Sequence, residues 1–73
     1  MTIAELEHKL STNGWRWQCW SDLWEKNGKE ISFPELNLFD DNTRLPVANT
    51  KVQLYDEKHG KRIITEEELN KII

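Results

Sequence analysis

The chain has one cysteine, two histidines, two prolines and three glycines in 73 residues. A lone cysteine, Cys19, excludes an internal disulfide framework and a multi-thiolate metal site. His8 and His59 are far apart in sequence, and no pair among His8, His59 and Cys19 has the spacing of zinc ligands. Gly14, Gly28 and Gly60 are isolated, so no glycine-rich loop is available to cradle a phosphate. No apolar run approaches the ~20 residues of a membrane span, and Met1-Thr2-Ile3-Ala4-Glu5 lacks the basic start of a secretory signal. These absences predict a cytoplasmic protein with no membrane, metal or cofactor partner. Basic excess is missing as well. Ten Lys+Arg stand against thirteen Asp+Glu, a net charge of −3, which argues against nucleic-acid binding by bulk charge. The charges divide evenly between the two halves, so neither is a basic arm or an acidic tail.

Hydrophobic residues make up 37% of the chain and charged residues 32%. That balance, at this length, predicts a single compact domain over residues 1–73 with a thin core. Thr2 with Glu5 three residues on forms a capping-box pattern, and Ile3, Leu6 and Leu10 give an apolar stripe ending at Asn13-Gly14. A short N-terminal helix follows. Thr65 and Glu68 repeat the pattern near the other end, with Glu66, Glu67 and Glu68 placed where a helix dipole favours acid and Leu69, Ile72 and Ile73 on one face. A short C-terminal helix follows in the same way.

Between the helices the signals are those of strands. Lys26-Asn27-Gly28-Lys29 is the sequence of a two-residue hairpin turn, both central positions needing positive φ. It pairs Glu25 with Glu30 and Trp24 with Ile31. Lys51–Asp56 alternates cleanly and Arg62-Ile63-Ile64 returns. A loop at Lys58-His59-Gly60 pairs Tyr55 with Ile63, Leu54 with Ile64 and Asp56 with Arg62, so that the second hairpin echoes the aromatic/Ile pair of the first. Leu36, Leu38 and Phe39 suggest a middle strand. The expected fold is α+β: an antiparallel sheet of two β-hairpins plus that middle strand, flanked by short terminal helices. Residues 41–56, with Gly60 beyond, resemble the strand pattern of regulatory-type β-sandwich repeats. The remaining residues cannot supply seven strands, so the resemblance is one of strand and turn chemistry and identifies no family.

All four tryptophans fall within Trp15–Trp24. Helical and strand periods compete there, and the hairpin signal that follows decides for a strand. Alternation along one strand then puts Trp15 and Trp17 on the face opposite Trp20 and Trp24, unless a bulge near Ser21-Asp22 swaps the faces. Cys19 reads as a small buried hydrophobe on that strand. Trp15 and Trp17, flanking Arg16, become the expected contact surface, backed by the second hairpin tip around His59, because exposed tryptophan is a common interface anchor.

The function expected from these features is non-catalytic: a protein-binding module serving as a small adaptor or inhibitor of a larger protein, in the style of phage and mobile-element accessory proteins that include inhibitors of host defence systems. A single-stranded nucleic-acid or carbohydrate binder would use Trp15 and Trp17 as stacking platforms, with Arg16, Lys51, Lys58, Lys61 and Arg62 as charge. A small enzyme would need Cys19 or His59 as its reactive group.

Overall fold

The computed structural model describes residues 1–37 and 40–73. Among these, two helices lie against a five-stranded antiparallel sheet, the α+β architecture expected from the sequence. The elements are α1 (Ile3–Thr12), β1 (Arg16–Gln18), β2 (Leu23–Lys26), β3 (Lys29–Ser32), β4 (Val52–Asp56), β5 (Gly60–Ile64) and α2 (Glu66–Ile72), with a short 3-10 turn at Val47–Asn49. The strands lie in chain order, each hydrogen-bonded to the next. Among the described residues no helix is long and apolar enough to cross a membrane.

Both helices begin with the predicted capping box. Thr2 Oγ1 accepts the Glu5 N–H at 3.3 Å while the Glu5 carboxylate accepts the Thr2 N–H at 3.0 Å; Thr65 and Glu68 do the same at the start of α2. The next free donors of α1 go to a loop. Ile3 N–H donates to the Leu45 carbonyl and Ala4 N–H to that of Thr43, at 2.9 and 3.0 Å. The segment before the 3-10 turn is thereby fastened to the N-terminal end of α1, since a helix start left without acceptors is costly.

Register explains which sheet residues are buried. Trp24 faces Ile31, Ile31 faces Leu54, and Val52 faces Ile64. All five are buried on one face of the sheet, and they join Leu6 and Leu10 of α1 and Leu69 of α2 in one core. Ile72 and Ile73 pack against its margin. Each helix is too short to persist in water alone, and each is held through this apolar contact. Among the described residues the opposite face of the sheet carries no helix. It presents the row Arg16, Glu25, Glu30, Tyr55, Lys61 across the five strands.

The first hairpin has the expected register, with Asn27 at φ 51° and Gly28 at φ 79°. Three other expectations need correction. The fifth strand is not the middle segment: Leu36 lies in a turn, its N–H donating to the Phe33 carbonyl, and Leu38 and Phe39 are outside the described residues. The strand is Arg16–Gln18 instead. The second hairpin is shifted by two residues. Leu54 faces Arg62, Tyr55 faces Lys61, Gln53 faces Ile63 and Asp56 faces Gly60. The cause is Asp56, whose carboxylate accepts the His59 N–H at 2.6 Å. That bond makes Asp56 the first residue of the turn and moves the loop to Glu57–His59; Gly60 is left-handed as expected, at φ 70°.

The third correction concerns the tryptophan segment, which is not one strand. Gly14, at φ 88°, ends α1, and the Trp15 N–H closes back on the Leu10 carbonyl at 3.0 Å. Trp15 therefore belongs to the helix stop, where the residue after the glycine commonly packs on the last apolar turn. A reversal through Cys19–Asp22 then separates β1 from β2, with Asp22 left-handed at φ 52°. The face change falls where the alternation required one, as a turn and not as a bulge.

Candidate functional site

The reversal between β1 and β2 sorts the four tryptophans by environment. Trp15 is 4% exposed and Trp24 8%, both in the core. Trp17 stands opposite Trp24 on the edge strand. With no strand beyond it, Trp17 is 41% exposed. Trp20 lies in the turn with no cross-strand neighbour and is 98% exposed. Cys19 beside it is also exposed, contrary to its reading as a buried strand residue, because it has left the strand. An unburied tryptophan forgoes a large hydrophobic gain, so Trp20 is the residue whose position the fold explains least.

The Trp17 and Trp24 rings meet with centroids 5.5 Å apart and planes tilted by 57°. Together with Phe33 and Leu36 they form the apolar floor of a cleft of about 200 Å³. Ile3 and Glu7 of α1 close one side, and Asp22 and the Asp40–Thr43 segment line the remainder. Among the described residues no lysine, arginine or histidine lines the cleft. Asp41 is spent locally: its carboxylate accepts both the N–H and the hydroxyl of Thr43, at 3.1 and 2.6 Å, and these bonds hold its pKa below the usual value. Glu7 has the reverse shift, since partial burial against α1's surroundings raises its pKa.

The residues singled out from sequence are not brought together. Trp15 is buried, because it completes the stop of α1 and joins the core. Arg16 is exposed but projects from the face opposite Trp17, by strand alternation. His59 sits in the β4–β5 turn, at the other side of the sheet, with β2 and β3 between it and the Trp17 strand. Its ring Nδ1 lies 3.1 Å from the Asp56 carboxylate, and the backbone N–H of His59 is the main cause of the lowered Asp56 pKa. His59 thus shapes its own turn.

That turn and the first hairpin's tip border a second, more open depression of about 370 Å³, lined by Lys29, Lys58, His59 and Arg62 together with Asp56 and Glu57. Its mixed charge contrasts with the uniformly acidic rim beside Trp17. Among the described residues no group of three His, Cys, Asp or Glu side chains is placed to hold a metal ion. Sequence reasoning missed Trp20 and the cleft. Ser21-Asp22 was the available signal, since aspartate tolerates the left-handed turn that exposes Trp20. No family model, curated protein or solved structure matches the chain.

Proposed function

We propose that this chain is a non-catalytic protein-binding module, a small adaptor or inhibitor that docks on a larger protein through the end of the sheet formed by β1, β2 and their connecting turn. The observation that carries the reading is Trp20, 98% exposed at the turn's apex and three residues from the half-exposed Trp17. Burying a tryptophan on association contributes about 2 kcal/mol or more when it acts as an interface anchor. Left in water it contributes nothing to this fold.

The nucleic-acid reading has less support. It required Trp15 and Trp17 as paired platforms, and Trp15 is buried. The phosphate backbone of a base stacked on Trp17 would run beside Glu7, Asp22 and Asp40, where like charge opposes it. The cations it would use, Arg16, Lys51, Lys58, Lys61 and Arg62, are divided between both sheet faces and a connecting segment.

The test is parallel capture from a lysate of the native host, using the wild-type chain, Trp20→Ala, and Ile63→Ser as a control on the uncovered sheet face. The reading expects one protein retained by the wild type and by Ile63→Ser and lost with Trp20→Ala. Equal retention by all three chains would reject this surface as the binding site.

A further inference from the structure

We propose that the cleft between α1 and the Trp17 edge of the sheet receives an arginine side chain presented by the partner, an inference that rests on the protein-binding reading and names the chemistry of its contact. Size comes first. At about 200 Å³ the cleft is smaller than the roughly 300–1,000 Å³ of sites that enclose drug-sized ligands. It suits one long side chain.

Charge narrows the choice. Glu7, Asp22 and Asp40 line the cleft, and among the described residues none of their carboxylates makes an ion pair or accepts a hydrogen bond. Glu7 is partly desolvated with no cation beside it, which is why its carboxyl titrates above the ordinary range. A cation entering the cleft would reverse that penalty.

Shape and donor chemistry select arginine over lysine. The floor is aromatic, and a planar guanidinium stacks on an indole face while its fork of N–H donors reaches carboxylates at the rim. Trp17 offers such a face, being 41% exposed on the edge strand. Trp24, also lining the cleft, is 92% buried (8% exposed), and its indole N–H has no acceptor.

The probe is acetyl-Gly-Arg-Gly-amide, titrated into the intact chain at low salt while the indole N–H resonances of Trp17 and Trp24 are followed. The same peptide with citrulline, which keeps the shape and removes the charge, is the comparison, and a neutral oligosaccharide is a third arm. The expected result is saturable shifts of both indoles with the arginine peptide and about tenfold weaker binding with citrulline. Glu7→Gln and Asp22→Asn should each weaken binding about fivefold or more. Both are conservative changes at the rim, and Glu7→Gln should raise the melting temperature while it weakens binding, a pair of opposite signs that unfolding could not produce.

Equal binding of the arginine and citrulline peptides would overturn the proposal, as would oligosaccharide binding with no response to arginine. Absence of any response to the peptide, with partner capture still abolished by Trp20→Ala, would discard the arginine receptor and leave the protein-binding reading standing. A charge-dependent response of the cleft, with capture indifferent to Trp20→Ala, would support the receptor and discard the Trp20 docking end.

Discussion

Trp17 stands directly across the β1–β2 ladder from Trp24, their ring centroids 5.5 Å apart, although seven positions separate them in a segment that reads as one strand. On a single period-2 strand two residues an odd number apart face opposite ways. The reversal at Cys19–Asp22 puts them side by side, which moves Trp17 onto the core face and Trp20 out into solvent. The aromatic cleft and the exposed Trp20 both come from that one turn.

The four tryptophans should therefore respond unequally to truncation. Trp15→Ala removes a buried side chain at the stop of α1 and is expected to cost ~3–5 kcal/mol. In a domain of this size that amounts to loss of the fold at ordinary temperature. Trp20→Ala should leave stability within about 0.5 kcal/mol, as for a surface position. Urea denaturation of the two variants checks the contrast.

Gly28 has φ 79° and nothing within 4 Å of where a Cβ would stand. Strain at Gly28→Val is thus entirely conformational, and a β-branched residue in the left-handed region should cost about 1–2 kcal/mol. The measurement is the urea midpoint at unchanged slope. A neutral result would mean that the Asn27-Gly28 turn does not set the register of β2 and β3.

Leu69 is fully buried and is the main contact of α2 with the core. Leu69→Ala should cost about 2–5 kcal/mol, far more than the capping box, whose removal by Thr65→Ala should cost about 1 kcal/mol. Thermal unfolding of both variants gives the order.

Acid should act on two groups in opposite directions. Asp56 is held below the ordinary value of 3.8 by the His59 N–H. Its contribution is complete above that ordinary value and is lost as pH falls through the lower folded one, so the second hairpin's turn loosens in acid. Glu7 is raised above 4.5 by burial. Its charged form destabilises the fold above the raised value, and that penalty fades as pH falls toward 4.5. Glu7→Gln should accordingly raise the melting temperature at pH ~7 and lose the advantage as acid protonates Glu7 in the wild type. Melting temperature against pH for wild type, Glu7→Gln and Asp56→Asn separates the two effects.

Cys19 provides a chemical check on the turn. It is exposed, so a thiol reagent should modify the native chain at a rate close to that of the denatured one. Strong protection in the free chain would place Cys19 back in a strand.

Local chemistry was legible wherever a few neighbouring residues decide the outcome. Thr2/Glu5, Thr65/Glu68 and Asn27-Gly28 each determine a cap or a turn within four residues, and all three formed as expected. The second hairpin's register was less legible because Asp56 had two possible partners. Pairing with Arg62 favours one register and capping the His59 N–H another, and the cap formed. The candidate site was hardest to read. Trp15 counts as a strand residue by alternation and as a helix-stop residue by its place after Gly14. Burial of Trp15 in the core that also holds Leu54 and Leu69 decides between them, and alternation cannot foresee it. The acidic rim was invisible for a related reason, since Glu7, Asp22 and Asp40 come from three separate segments.

The central claim, that this chain meets its partner through the β1–β2 end, is tested most directly by amide hydrogen exchange of the chain free and bound to the protein it captures. The account predicts slowed exchange across residues 16–24 on binding, with the 57–60 turn unchanged. Protection confined to the second hairpin, with the Cys19–Asp22 turn exchanging as freely as before, would contradict it.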